Sequence, residues 1–583
     1  MSAEPARALT VTIGQHSATG RKAENQDFHG TLVPPPPALA LKGIAVALAD
    51  GISSSAAGAA ASETAVKSFL SDYYATPDTW SVKTAAQRVI AAADSWLYAQ
   101  TRRGLDPNDA DRGYVTTFDA LILKGRTAHL FHVGDARIWR VSGRSLEQLT
   151  EDHRGVVSAA ESYLGRALGV TGRAEIDYRT LAVAAADIFV LTTDGVHEHV
   201  HPRVIVAAIT AAADLDAAAR TIVEAALAAG SPDNLTIQIV RVDAVPEGEA
   251  ADLLGDVEGL DPAPLLDPPA EFDGYRLLRV LHSGPRSRVY LAEDSETGGL
   301  VALKVLSLDL RDDPAQRKRL ALEEWIARRI DSPHVLKAQP AARRRSHLYT
   351  VMRYVEGQTL TQWMRDHAAP ELEAVRGLVE QLARGVQAFH RKEMIHQDLR
   401  PDNVLIDLSG VVQVIDFGAT QVAGVVEGDP RIDPAEILGT VQYTAPECFL
   451  GAPSTAASDV FSVGVIAYQM LTGRLPYGDA VPRARTPAAQ RRLRYASARA
   501  VRPLLPVWVD GALRRAVHPN PLKRYQTLSE FIHDLRHPNP AFTDVRRPAL
   551  LERDPLLFWR LLSLVLGIIA LTLAGILIAH PPR

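Results

Sequence analysis

Uninterrupted apolar runs recur through residues 8–243. Val11–Gln15, Ile44–Ala49, Ala120–Lys124, Ala128–Val133, Ile188–Thr192 and Leu235–Val242 are predicted as strands, several of them buried on both faces because polar residues do not alternate within them. Ser62–Asp72, Thr84–Thr101 and Ala217–Ala229 are Ala-rich and predict helices. Pro34–Pro37 predicts a stiff surface loop. Over 244–274 the pattern breaks: acids alternate with Pro and Gly, and no Lys or Arg occurs between Arg241 and Arg276, which predicts an unpacked linker. Strand patterns resume at Tyr275–Leu281, Val289–Ala292 and Val301–Leu306, and helical ones continue to 537. After a juxtamembrane piece at 538–556, the stretch Leu561–Ala579 carries no charge. Its length of roughly 28 Å as a helix, the preceding Arg546, Arg547, Arg553 and Arg560, and the pair Phe558-Trp559 predict one transmembrane helix over 557–579. The positive-inside rule then places the rest of the chain on the cytosolic side of an inner membrane.

At 583 residues the chain exceeds what one hydrophobic core supports, so two or more domains are expected. A hydrophobic fraction of 47% and a charged fraction of 22% are those of a globular protein. A net charge of −5 predicts no nucleic-acid partner. Cys448 is the single cysteine, which excludes an intramolecular disulfide and a Cys-based metal site and predicts a small buried residue. Met1–Arg7 lacks the apolar run of a signal peptide, consistent with cytosolic catalytic domains.

The first half scatters acids at strand ends. Leu48-Ala49-Asp50-Gly51 ends an apolar strand with an Asp able to bridge two cations and a Gly whose carbonyl can approach one. Thr193-Asp194-Gly195 repeats the arrangement, and Asp233-Asn234 directly precedes the last strand. One Asp-Gly pair is usually only a turn. Several acids, each adjoining an apolar strand, suit a two-metal phosphoester hydrolase, with hard Mg²⁺ or Mn²⁺ held by oxygen ligands.

In order over 8–243, Asn25-Gln26-Asp27, Ala49-Asp50-Gly51, Thr116-Thr117, Val133-Gly134-Asp135-Ala136-Arg137, Leu149-Thr150-Glu151-Asp152-His153, Thr193-Asp194-Gly195 and Asp233-Asn234 resemble the PPM family of metal-dependent Ser/Thr protein phosphatases. The resemblance implies an α-β-β-α sandwich with two or three metal ions between its sheets. It implies that Asp50 bridges two metals, that Asp194 and Asp233 hold one and the Gly51 carbonyl the other, that Asp27 acts through metal-bound water, and that Asp135 with Asp194 forms a weaker third site. Two positions depart from the family. Gln26 stands where Glu is frequent, and the phosphate-contacting arginine falls at Lys22, with Arg21 beside it as the preferred contact because Lys lacks a bidentate fork.

The second half carries the parts needed for phosphoryl transfer from ATP. Lys304 ends Val301-Ala302-Leu303-Lys304, with Glu323 as its expected partner and Glu324 as the alternative. Asp416 of Asp416-Phe417-Gly418 and Asn403 are expected to hold one or two Mg²⁺ or Mn²⁺ ions. In His396-Gln397-Asp398-Leu399-Arg400, Asp398 is the candidate base and Arg400 the neutralising cation. With Gly439-Thr440, Tyr443, Ala445-Pro446-Glu447, Asp459, Gly464 and Arg524, residues 275–537 resemble the eukaryotic-type Ser/Thr protein kinase family. The resemblance implies a bilobal fold, a Glu447–Arg524 ion pair, and a nucleotide site that includes Gly284, Val289, Ala302, Lys304 and Met352. The glycine-rich loop is reduced to Gly284, with His282 and Ser287 at the other glycine positions, and Gln397 replaces the arginine that receives a loop phosphate in many kinases. Loop phosphorylation is therefore not expected to be the main on-switch.

These readings predict an α+β chain: a phosphatase sandwich, a kinase and one transmembrane helix. Its expected partners are protein substrates carrying Ser/Thr or phospho-Ser/Thr, with auto- or cross-phosphorylation between the halves. The alternative is an active phosphatase regulated by a nucleotide-binding pseudokinase.

Overall fold

The computed structural model describes residues 8–104, 113–158, 161–246, 260–339, 345–426, 442–543 and 555–579. The expectations placed on Gly439-Thr440 and on Arg546, Arg547 and Arg553 lie outside these residues.

The first unit contains β1 (Thr10–Ala18), β2 (Asp27–Leu32), β3 (Ile44–Asp50), β4 (Phe118–Lys124), β5 (Thr127–Val133), β6 (Arg137–Ser142), β7 (Ser145–Gln148), β8 (Arg154–Ser158), β9 (Glu161–Leu164), β10 (Asp177–Ala182), β11 (Ile188–Thr192) and β12 (Leu235–Ala244). Two five-stranded sheets form, in the orders β1-β12-β11-β6-β7 and β10-β5-β4-β3-β2. Ile44, Val46, Leu48, Leu121, Leu130, Phe189, Leu191 and Val240 interlock between them in one apolar core. The other face of β3 and β4 packs Ala47, Phe118 and Ala120 against helices Gly58–Ala75 and Val82–Gly104. The outer face of β11 and β12 packs on helices Pro202–Ala211 and Leu215–Ala228. Burial on both faces is why these strands are apolar without alternation. The layers are those of the expected α-β-β-α sandwich.

The second unit opens earlier than its sequence suggests. β13 (Asp261–Pro262) pairs with β18 (His347–Leu348), and β14 (Ala270–Phe272) pairs with β15 (Tyr275–Ser283). Ala263, Leu266 and Phe272 join the core beneath this sheet, and the Tyr290 hydroxyl donates to the Leu266 carbonyl at 3.0 Å. The linker expected over 244–274 is thus packed from 260 onward, because a few well-spaced apolar residues anchor an otherwise acidic stretch. The sheet runs β14-β15-β16-β17-β19, with β16 at Ser287–Asp294, β17 at Leu300–Leu306 and β19 at Thr350–Arg353. Helix Pro314–Arg329 packs on β17 and β19, started by the Asp313 side chain accepting from the Ala315 amide and by Pro314 in its first turn.

The larger lobe that follows is helical, built on Leu372–His390, Ala456–Thr472, Val507–Ala516 and Leu528–Arg536 around one core. Its small strands are β20 (Gly357–Thr359), β21 (Met394–Ile395), β22 (Val404–Asp407), β23 (Val412–Val414) and β24 (Gln421–Val422). The lone Cys448 is buried there against the Ser454 hydroxyl.

The apolar stretch toward the end of the sequence is helical over Pro555–Ala579. Among the described residues no helix is long and apolar enough to cross a membrane. This corrects the transmembrane helix expected over 557–579, and with it the inner-membrane placement and the membrane partner.

Candidate active sites

In the first unit, pairing of β2 with β3 sets Asp27 directly opposite Asp50. Thr117 buckles the end of β3: its hydroxyl accepts from the Asp50 amide at 2.9 Å and its own amide donates to the Asp50 carbonyl at 2.8 Å. Gly51 passes so close to Gly58 that a Cβ there would lie 2.3 Å from the Gly58 carbonyl oxygen. Gly134 takes a positive φ of 125° against Thr117, which turns the chain so that Asp135 follows β5. From the other sheet come Asp194, just after β11, and Asp233, just before β12. Thr193 bridges the sheets by donating to Asp27 at 3.0 Å. Asn234 staples the loop that carries Gln26, accepting from the Gln26 amide and donating to the Thr19 and Glu24 carbonyls.

Five carboxylates, Asp27, Asp50, Asp135, Asp194 and Asp233, therefore repel one another from both sheets. Burial first, then neighbouring charge, pushes Asp27 up to about 7 and Asp194 up to about 6. Asp50 is held well above the carboxylate range by burial and by Asp27, Asp194, Asp135 and Asp233. Oδ1 of Asp27 and Oδ1 of Asp194 are buried without a hydrogen-bond partner. Among the described residues no group of three His, Cys, Asp or Glu is arranged to hold a metal ion as it stands. The all-oxygen donor set and the two orphaned oxygens nevertheless suit hard divalent cations.

Two cations border this cluster. Lys22 stands 3.1 Å from Asp233 and donates to Ser53, whereas Arg21 beside it is exposed. Arg154, absent from the sequence reading, reaches Asp135 at 2.7 Å, Asp194 at 3.1 Å and Glu198 at 2.5 Å. Gln26 turns its side chain to the Ser55 carbonyl and serves the backbone there.

In the second unit, register alone assembles the cleft between the lobes. Val289 pairs with Lys304, and Ala302 pairs with Met352. Lys304 Nζ lies 2.7 and 2.9 Å from the Glu323 carboxylate oxygens and 3.0 Å from Asp416. Glu324 instead faces Arg328 and Arg345, which closes the alternative left by the sequence. Burial works against the Asp416 charge, but Lys304 outweighs it and holds Asp416 at about 2. Asn403 donates to the Asp398 carbonyl at 2.8 Å and to its carboxylate at 3.3 Å. Arg400 pairs with Asp402 at 2.7 Å. Asp459, buried, accepts from the backbone amides of His396 and Gln397 and so fixes the loop that carries Asp398. Arg524 is fully buried in a two-pronged pair with Glu447 at 2.6 and 2.7 Å. Gly284 sits in the β15–β16 turn, its amide bonded to the Ser287 carbonyl, with the His282 ring where a Cβ would point.

The Protein kinase domain family matches residues 275–540, and the Protein phosphatase 2C family matches residues 15–229. The chain joins a protein phosphatase 2C domain to a protein kinase domain. Its kinase domain is similar to the serine/threonine-protein kinase PrkC of Bacillus subtilis, 29% identical over 270 residues, or 45% of this chain and 40% of that protein. It is also similar to PknE of Mycobacterium tuberculosis, 30% identical over 272 residues and 45% of each chain. The chain spans less than half the length of these curated relatives. Solved structures similar to it include the catalytic domain of the phosphatase PstP in complex with two manganese ions (24% identity, 40% of this chain, 100% of that one, TM-score 0.34). Another is the PknI kinase domain of Mycobacterium tuberculosis (27% identity, 46% and 98%, TM-score 0.37). The two domain types are those of ATP-using kinases and metal-dependent phosphatases.

Proposed function

We propose that this chain is a bifunctional signalling enzyme that phosphorylates protein Ser/Thr from ATP and hydrolyses phospho-Ser/Thr. The observation that carries the reading is the Lys304 ammonium seated between Glu323 and Asp416, in a chain whose other domain gathers Asp27, Asp50 and Asp194. We take the phosphatase domain to span 8–243 and the kinase domain to run from about 260 to 537, since packing against the N-lobe starts there.

In the kinase domain, Glu323 orients Lys304 toward the α/β-phosphates of a nucleotide lying along Val289, Ala302 and Met352, beneath Gly284. Asp398 accepts the proton of the substrate hydroxyl as the new O–P bond forms and the bond to ADP breaks, and Arg400 balances the charge. Asn403 and Asp416 would hold one or two Mg²⁺ or Mn²⁺ ions. In the phosphatase domain, Asp50, Asp194, Asp233 and the Gly51 carbonyl would hold two such ions, Asp135 with Asp194 a third, and Asp27 would position a water. Such ions, when bound, polarise the phosphoryl oxygens and make the attacking water nucleophilic near neutral pH. Arg21 or Lys22 would supply the cation that receives the phosphate, and the approach of Lys22 to Asp233 at 3.1 Å supports Lys22.

A second reading, a nucleotide-binding pseudokinase beside an active phosphatase, is favoured by the single glycine of the β15–β16 turn and the His282 ring over it. Labelled-ATP transfer to a generic Ser/Thr protein by the full chain separates the two. Transfer that Asp398→Ala abolishes, with phosphopeptide hydrolysis that Asp50→Asn abolishes, supports the bifunctional enzyme. ATP binding without transfer leaves only the phosphatase.

A further inference from the structure

Among the described residues, the hydrogen bonds and ion pairs between the two domains gather in a strip that neither active site uses, beside Leu41, which is buried in the kinase core. On the phosphatase side lie residues 78–84, which lead into helix Val82–Gly104. On the kinase side lie the residues before Asp398 and those just after the Asp416-Phe417-Gly418 turn. Trp80 Nε1 donates to the Arg391 carbonyl at 3.1 Å, and Asp78 meets Arg329 at 3.3 Å. The Glu393 carboxylate accepts from the Ser81 amide at 2.7 Å and from the Thr84 hydroxyl at 2.5 Å. A kinase acid thus caps the N-terminus of a phosphatase helix, where its charge is favoured by free amides and the helix dipole.

The strip grips one element above all. The Gly424 amide donates to the Thr79 carbonyl at 3.0 Å, and the Gly424 carbonyl accepts from the Lys124 ammonium. Lys124 is fully buried, and Lys42, almost as buried, donates to Thr76 Oγ1 and the Pro77 carbonyl and so braces the gripping loop from below. Burying an ammonium is costly unless its hydrogen bonds are met, so Lys124 suits a lasting contact and not a transient one. Gly424 is also required sterically: a Cβ would lie 2.7 Å from the Trp80 carbonyl oxygen and 2.9 Å from that of Asp78.

Gly424 stands where the chain leaves β24 for the activation segment. β24 is itself paired with β21 of the catalytic loop, and the Ala423 amide donates to the Glu393 carbonyl. Gln397 occupies the place of a phosphate-receiving arginine, and its amide donates to Gln421 at 3.0 Å, one neutral side chain to another. No charge at that position calls for a loop phosphate.

We propose that the phosphatase domain is the docking partner that holds the root of the kinase activation segment, and that this contact, without a phosphate, activates the kinase. The inference rests on the kinase reading above and adds the element that regulates it.

The test uses the full chain with Gly424→Ala on one side of the strip and Trp80→Ala on the other, neither of which touches catalytic machinery. Three quantities are read: amide hydrogen exchange over 421–425, ADP release with a generic Ser/Thr protein (Asp398→Ala as blank), and hydrolysis of p-nitrophenyl phosphate with Mn²⁺. ADP release cannot be undone by the phosphatase. Both variants are expected to speed exchange over 421–425 and to lower ADP release about tenfold, a normal size for coupling between sites, while aryl phosphate hydrolysis stays within about twofold. Unchanged exchange overturns the docking. Faster exchange with ADP release unchanged or raised overturns the activating role. If the wild-type chain releases no ADP above the blank, the kinase reading itself fails and the activating role with it, and exchange still decides the docking separately.

Discussion

Arg154 donates to Asp135 across 2.7 Å, so one acid of the phosphatase cluster is already neutralised by the protein's own cation. The same guanidinium reaches Asp194, and a divalent ion between those two acids must displace it. Arg154→Ala is therefore expected to tighten the weakest Mn²⁺ site about tenfold, the scale of one charge-assisted hydrogen bond, with the tighter sites unchanged. Calorimetric Mn²⁺ titration of the two proteins checks this.

Metal binding to the phosphatase domain is expected to release protons. Asp27 at about 7 and Asp194 at about 6 hold protons near neutrality in the metal-free fold, because burial and mutual repulsion disfavour their charges. A cation favours the ionised forms, so apparent Mn²⁺ affinity should climb as pH rises through about 6 to 7. The metal-free domain should lose stability from about pH 4, where the unfolded carboxylates (3.8) ionise, up through about 6 to 7, where the folded ones do, because over that span the folded state binds the extra protons. Binding heats in two buffers of different ionisation enthalpy, and melting curves with and without Mn²⁺, read both effects.

A second pH effect comes from His132 and Asp119, buried partners at 2.6 Å. Burial opposes the imidazolium, yet Asp119 and the Glu151 carbonyl raise His132 from 6.5 to about 8. Its contribution is fully present below pH 6.5 and is lost as pH rises through about 8, a change of about 2 kcal/mol. His132→Gln should flatten that part of the stability–pH curve, as followed by urea unfolding.

Removing one partner of the Glu447–Arg524 pair leaves a fully buried guanidinium uncompensated. Glu447→Ala should destabilise the kinase domain by about 3–5 kcal/mol, visible as a lower unfolding midpoint of that domain while the phosphatase transition stays in place.

What could be read without coordinates was whatever local chemistry marks. Asp50, Asp194 and Asp233 each adjoin an apolar strand, and Lys304 lies within one, so both clusters and both sheets were legible. Half-polar strands such as β2, β6 and β10 were not, because their outward residues break the apolar run. Arg154 lies 40 positions from Asp194, and nothing in its neighbourhood tells it from a surface arginine. Glu323 and Glu324 are adjacent on one helix, and only the position of Arg345 shows which of them turns away from Lys304. The stretch around Leu266 and Phe272 was misread because average composition hides two residues that fill notches under a sheet. The run over 557–579 was misread from its apolar length, the arginines before it and the pair Phe558-Trp559.

The stitching of residues 260–274 to the N-lobe has an effect on dosage. Between Ala244, where β12 ends, and Asp261, where β13 begins, the covalent path is short: at ~3.5 Å per residue it cannot exceed roughly 60 Å. The phosphatase and kinase domains therefore travel as a fixed one-to-one couple. For a target modified by both, the steady-state fraction carrying phosphate depends on the ratio of their two rates, and doubling expression shortens the response time without moving that set point.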